Sequence, residues 1–286
     1  MHVHQFATTM LTRILCLIVL FAPLSCRMVD SYAIKIKGSD TEVNLVLQLV
    51  EQFHEVGAGH FISVSGGGSG LGIAALLNGT ANLANSSRTI NEKELQLFQQ
   101  RHIELDSFIF AQDAIAFVVS ESLPIDSLTV DNLSKILRGE FNDWSSLTAQ
   151  SLPINIYGRQ SNSGTYEFIR KKLHISFSPY AKEMNGNAQI LEAIKQDQSG
   201  IGYVGAGYVI HGGIKGIKVL KIAASDKESF VSPLDGEMIR QNKYYFQRPL
   251  FQYFAAQDKA KIKPFIDFEK TEEGKKIIQA AGYYVW

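Results

Sequence analysis

Four short stretches combine hydroxyls, glycines and guanidinium groups in a way that suits an oxyanion. They are Gly38-Ser39-Asp40-Thr41, Gly66-Gly67-Gly68-Ser69-Gly70, Asn85-Ser86-Ser87-Arg88, and Gly158-Arg159-Gln160-Ser161-Asn162-Ser163-Gly164-Thr165. Glycine lets the backbone approach a ligand closely, serine and threonine donate hydrogen bonds, and arginine offers five donors in a fixed fork. Each stretch lies between a short apolar run of strand type and an apolar-periodic run of helix type. The first N–H groups of such a helix have no intrahelical partner and carry partial positive charge, so each junction is a potential anion cradle. The candidate ligand-binding residues are Ser39, Asp40, Thr41, Gly68, Ser69, Ser87, Arg88, Arg159, Ser163, Gly164 and Thr165. A purely structural role competes at each of them: Ser39, Asp40 and Thr41 are also good helix caps, and Arg88 taken alone reads as a surface residue.

Chemistry on that anion finds little support. Ser69 has Gly67 two residues before it but Leu71 two after, so the G-x-S-x-G elbow of serine hydrolases is missed. His54, His60, His102, His174 and His211 stand in no catalytic motif, and no histidine–carboxylate cluster has metal-ligand spacing. No Walker lysine follows the glycine loop, which excludes a P-loop NTPase. Gly200-Ile201-Gly202-Tyr203-Val204-Gly205 matches G-x-G-x-x-G, but no strand precedes it, so it reads as a strand in tight packing. The expectation is a binder with no catalytic residues, no metal and no cofactor. A serine-dependent hydrolase or phosphatase is the alternative, and a retained fold serving adhesion or signalling is a third.

The elements that position these turns follow from periodicity. Ile34-Lys35-Ile36-Lys37 alternates as a half-buried strand, and Val43, Leu45, Val46, Leu49, Val50 and Phe53 recur at helical spacing. Phe61 to Val64 reads as a strand before the glycine loop, and Ile73 to Leu77 as the helix after it. Ala81 to Ala84 and Ile154 to Tyr157 repeat the strand part, with helices near Asn91 to Arg101 and Tyr166 to Leu173. Strand–helix alternation implies an α/β protein with parallel sheets, whose ligands bind beyond the carboxyl ends of the strands. The longest apolar run, Phe108 to Val119, holds Gln112-Asp113 in its middle, as expected of a strand crossing between two domains. The expected division is domain I at 34–111 plus 247–286 and domain II at 112–246. Three polar turns then fall on one wall of an interdomain cleft and the fourth on the other.

The 286 residues carry 28 Lys plus Arg against 28 Asp plus Glu. No global field selects nucleic acid or an anionic membrane, so an anion site must be local. Arg13 followed by the apolar run Ile14 to Ala22 has the layout of a secretory signal peptide, too short to span a membrane. Cleavage after Ala33 would remove 1–33; a lipoprotein signal ending at 25, with Cys26 lipidated, is the second possibility. No cysteine follows Cys26, so the mature domain has no disulfide. The expected location is periplasmic or extracytoplasmic, and the expected state is a monomer.

From Ile34 to the C-terminus the chain resembles the PstS family, the phosphate-binding proteins of the high-affinity phosphate ABC transporter. The resemblance rests on the four turns, supported by Ile201-Gly202-Tyr203-Val204, Arg248-Pro249-Leu250 and the segment from Gly274 to Tyr283. It implies a two-domain, type II periplasmic-binding-protein fold, inorganic phosphate bound in the interdomain cleft, and permease subunits in the inner membrane as partners. It also implies that Ser69, Arg159, Ser163, Gly164, Thr165 and a hydroxyl of Thr41 or Ser39 hold the ligand. Many members carry an aspartate in the third turn that accepts a proton-borne hydrogen bond from phosphate and repels sulfate. Ser87 stands there instead, which leaves any such discrimination to another group such as Asp40, or opens the site to other tetrahedral oxyanions.

Overall fold

The computed structural model describes residues 33–57, 61–210 and 214–285. The leader expected at 1–33, with Cys26, therefore lies outside the described residues but for Ala33. In chain order the elements are β1 (Ile34–Gly38), α1 (Val43–Glu55), β2 (Ile62–Ser65), α2 (Ser69–Leu77), β3 (Leu83–Ser86), α3 (Glu92–Gln100) and β4 (Leu105–Ser120). There follow β5 (Ser127–Thr129), α4 (Val130–Arg138), β6 (Asn155–Arg159), α5 (Gly164–Leu173), β7 (Lys182–Met184), α6 (Asn187–Gln196) and β8 (Gly200–Gly205). The chain closes with β9 (Ile217–Val219), β10 (Lys221–Ala223), α7 (Gly236–Arg240), β11 (Gln247–Ala255), α8 (Lys259–Glu269) and α9 (Glu272–Ala280). Three 3-10 turns join them at Trp144–Ser146, Ala206–Tyr208 and Ala256–Asp258.

The alternation in β1 buries Ile34 and Ile36 and leaves Lys35 and Lys37 half-exposed. The 3–4 spacing in α1 does the same for Leu45, Val46, Leu49, Val50 and Phe53. Strand β1 lies between β2 and β3 and is parallel to both, so the turns after all three emerge along one edge. Helix α2 presses onto β1 at Gly72, where a methyl group would stand 2.5 Å from the Lys37 carbonyl oxygen. Gly68, at φ 112°, turns the chain into that helix in a conformation that disfavours side chains.

The sixteen-residue strand β4 carries the molecule's division. From Leu105 to Ala114 it pairs with β11, and from Ile115 to Val119 with β8. The sheet order is accordingly β2-β1-β3-β11-β4-β8-β6-β7, with β9 on the end of β4 and a separate β10–β5 pair. The pairs β1–β2, β1–β3, β6–β8 and β6–β7 are parallel, whereas β4 pairs antiparallel with β11, β8 and β9. The expectation of parallel sheets is corrected there: β11 re-enters the first lobe beside its exit strand β4 and runs opposite to it, and β8 and β9 are likewise antiparallel to β4. One buried core gathers Ile34, Phe53, Leu83, Ala111, Leu250 and Phe265, and another gathers Ala114, Phe117, Trp144, Ile190, Tyr203 and Phe246. Gln112 and Asp113 fall between them on β4. Strand β8 is buried throughout, and a methyl group on Gly202 would stand 2.4 Å from Ile190 Cγ2. Its glycines serve packing. Among the described residues no helix is long and apolar enough to cross a membrane.

Candidate functional site

The ends of β1, β3 and β6 and the start of α2 bring four hydroxyls into one buried group. Ser69 Oγ lies 3.4 Å from Ser87 Oγ and accepts from the Ser87 N–H at 3.1 Å. Thr41 Oγ1 and Thr165 Oγ1, from opposite lobes, are 3.3 Å apart. Gly164 is wedged against the serine pair: a methyl group there would stand 2.3 Å from Ser69 Oγ and 2.4 Å from Ser87 Oγ. All four hydroxyl residues are essentially inaccessible. Ser69 opens α2 and Gly164 opens α5, so two helix N-termini converge on the same point.

Two buried arginines flank this group. Arg159 ends β6 and donates from Nη1 to Asp40 Oδ2 at 3.2 Å and from Nη2 to the Asn185 carbonyl at 3.0 Å. Its Nε is buried with no hydrogen-bond partner. Burial lowers the Arg159 pKa, and the Asp40 carboxylate partly restores it. Arg248, on β11, donates from Nε and Nη2 to Asp113 Oδ2 at 3.1 and 2.9 Å. Its Nη2 also reaches Thr41 Oγ1 at 3.2 Å and Thr165 Oγ1 at 3.0 Å, and its Nη1 reaches the Ser87 carbonyl at 3.3 Å. Burial raises the Asp113 pKa and Arg248 opposes that shift.

The two lobes touch across the site. Gly70 N–H donates to the Asn162 carbonyl at 3.0 Å, and Asp40 Oδ2 accepts from the Asn187 backbone and side-chain amides at 2.8 and 2.7 Å. The Tyr208 hydroxyl donates to the Asp40 carbonyl at 2.7 Å. Beside the hydroxyls, a cavity of about 540 Å³ is lined by Ser87, Arg88, Phe168, Lys172 and Arg248, among others. Such an arrangement can strip water from a small oxyanion and replace it with O–H and N–H donors. Among the described residues there is no group of histidine, cysteine and acidic side chains able to hold a metal ion.

Residues 27–272 match the family model described as a PBP superfamily domain. The chain belongs to the PBP superfamily. Among the similar proteins is the phosphate-binding protein PstS of Borreliella burgdorferi, 26% identical over 274 residues, covering 91% of this chain and 92% of that protein. An ABC-type phosphate transport receptor from Vibrio cholerae superimposes with a TM-score of 0.69 at 26% identity, covering 88% of this chain and all of that one. A Clostridium perfringens protein, assigned as a phosphate ABC transporter substrate-binding protein and solved with bound phosphate, gives a TM-score of 0.80 at 21% identity. It covers 89% of this chain and 99% of that one, and at this identity it speaks for the two-lobed fold alone.

Within this PBP-superfamily chain the expected residues divide into those that converge and those that do not. Thr41, Ser69, Ser87, Gly164 and Thr165 meet in the hydroxyl group. Asp40 is not the helix cap that its type suggested: α1 starts from Glu42 with no side-chain cap bond, and the Asp40 carboxylate is drawn instead to Arg159 and Asn187 across the cleft. Ser163 does cap α5, its Oγ accepting from the N–H groups of Thr165 and Tyr166 at 3.2 and 3.5 Å. Ser39 is buried beside the Glu42 carboxyl, whose pKa burial raises strongly and Ser39 partly lowers. Arg88 stays at the rim because Glu94 takes both of its Nη atoms, at 2.7 and 2.6 Å. Gly68 donates to the Gly38 carbonyl at 2.8 Å and so shapes the turn. Sequence reading missed Arg248 and Asp113 as members of the site. The available signal was an arginine next to a proline inside an aromatic strand, and an aspartate inside the longest apolar run. Charges in such places need each other.

Proposed function

We propose that this chain is an extracytoplasmic solute-binding protein that captures inorganic phosphate by hinge closure and delivers it to the permease subunits of an ABC transporter. The observation that carries this reading is the buried convergence of Thr41, Ser69, Ser87 and Thr165 on two helix N-termini, with Arg159 and Arg248 beside them. Names given to the similar proteins from Borreliella burgdorferi and Vibrio cholerae point the same way. The binding lobes are 34–111 with 247–286, and 112–246; β4 and β11 are the hinge. The mature chain acts as a monomer after export, with or without a lipid on Cys26, and catalyses no reaction.

Closure follows from differential contact. An anion held by Ser69 and Ser87 from one lobe and by Gly164, Thr165 and Arg159 from the other favours the state in which the lobes meet. Ser87, in place of a carboxylate, favours a second reading in which another tetrahedral oxyanion such as sulfate also binds. Calorimetric titration with phosphate, arsenate, sulfate and molybdate tests both. Phosphate binding at one site per chain is expected; no heat and no thermal stabilisation with any of the four would end the transport reading.

A further inference from the structure

We propose that Arg248 is a second arginine ligand of the anion, delivered from the hinge, and that Asp113 sets how much of its charge the ligand feels. The proposal rests on the anion-binding reading above and concerns residues on the connecting strands rather than in the four turns.

Arg248 and Asp113 face each other across the β11–β4 ladder, on the two strands that connect the lobes. Both are buried, at 1% and 0% exposure. A pair with only a structural task would close on itself, with the guanidinium fork on both carboxylate oxygens. Here Arg248 bonds only Oδ2, from Nε and Nη2. The rest of the fork is turned to the site: Nη2 to Thr41 in one lobe and Thr165 in the other, and Nη1 to the Ser87 carbonyl. One side chain therefore touches three of the four turns. Its remaining Nη1 hydrogen has no hydrogen-bond acceptor among the described residues, and a buried N–H of that kind is costly until an acceptor arrives. Arg248 also lines the cavity beside the hydroxyls.

The hydroxyl geometry adds a second consequence. A threonine oxygen that accepts from a guanidinium must direct its own hydrogen elsewhere and is polarised as a donor. Thr41 and Thr165 lie within hydrogen-bond distance of each other, so one hydroxyl donates to the other and Arg248 leaves the second free to turn toward an anion. Asp113 neutralises part of the charge, which keeps an anion-free guanidinium tolerable in a buried place. Removing the carboxylate should expose the ligand to more positive charge. It should strengthen dianion binding, and do so most for sulfate, which has no proton with which to moderate its charge.

Three variants, each measured by calorimetry with phosphate and sulfate and by thermal unfolding, test this. Arg248→Met combined with Asp113→Leu removes both charges, so no orphan ion is left to unfold the protein. It should lose phosphate affinity by tenfold or more while melting cooperatively. Arg248→Lys keeps the charge opposite Asp113 without the fork and should lose affinity by about fivefold or more. Asp113→Asn should raise the ratio of sulfate to phosphate affinity. If the double variant folds and binds phosphate within twofold of the wild type, Arg248 is no ligand; if it fails to fold, unchanged affinity in Arg248→Lys equally rules the arginine out as a ligand. An unchanged sulfate-to-phosphate ratio in Asp113→Asn overturns the role given to the carboxylate. A wild-type chain that binds no anion defeats the functional reading itself, which separates the two failures.

Discussion

Arg159 ties the lobes together directly, because its Nη atoms are occupied by Asp40 and the Asn185 carbonyl. What it has left to offer an anion is Nε, buried without a partner, and the second hydrogen on each Nη. Arg159→Ala therefore removes a charge-assisted donor and a cross-lobe tie together. Phosphate affinity should fall by roughly 2 kcal/mol or more, measured by calorimetry; an unchanged affinity would show that the second wall is wrongly assigned. Ser87 invites the opposite experiment. Its hydroxyl touches Ser69 and lies against Gly164, so Ser87→Asp would place a carboxylate in the hydroxyl group. A protonated phosphate can donate to that carboxylate, whereas fully ionised sulfate is repelled by it. The variant should lose sulfate binding while keeping phosphate binding, as read from competition between the two anions. Equal loss of both would mean that Ser87 acts by shape alone.

At the scale of elements, the site depends on how closely helices approach strands, and Gly164 is the position with least room. Gly164→Ala drives a methyl group into Ser69 Oγ and Ser87 Oγ, so either α5 withdraws or both serines turn away. Phosphate binding should drop at least tenfold, while the melting temperature changes little in the open form, where the lobes no longer press together. Differential scanning calorimetry with and without phosphate separates these effects. The elements themselves were legible in the sequence. The alternation in β1 and the spacing in α1 are local signals, and apart from α2, which starts at Ser69 rather than Ile73, the expected helices formed within a residue or two of where periodicity puts them. The four turns were also legible, since hydroxyls and glycines beside a helix start are a local pattern. What escaped was pairing at a distance. Asp40 reads as a cap until Asn187, 147 residues later, arrives beside it. Arg88 reads as a wall residue until Glu94 closes on it, and Arg248 and Asp113 are separated by 135 residues. No window of sequence contains both halves of the two long-range pairings.

For the whole molecule, the cost of this architecture is a set of carboxyls buried in the lobe that carries the first three turns and on the connecting strand β4. Glu42 is inaccessible, with neither carboxyl oxygen hydrogen-bonded, and burial raises its pKa well above the ordinary value. Glu269, on α8, accepts from Gln252 Nε2 at 2.8 Å; burial raises its pKa to about 8, against small lowering by Gln252 and Lys270. Asp113 shifts in the same direction. A carboxyl raised in the folded state binds its proton more tightly there than in the unfolded chain. Its contribution to stability is fully present below the unfolded value near 4.5 and is lost as pH rises through the folded value. Stability should therefore decline between about pH 4.5 and pH 8, which is the reverse of a protein held by ionised carboxylates. Glu269→Gln keeps an oxygen for Gln252 and removes the titration. Urea unfolding at pH 5, 7 and 8.5 should show the wild type weakening toward high pH and this variant weakening less, by an amount on the order of a few kcal/mol at pH 8.5. Parallel curves for the two proteins would mean that Glu269 does not titrate in this range. Glu42, whose burial raises its pKa against the opposing influence of Ser39 and Arg248, lies in the turn that presents Thr41, so its ionisation should loosen that wall. Calorimetry of Glu42→Gln against the wild type as pH rises separates this effect from the change in phosphate's own protonation, which both proteins experience alike.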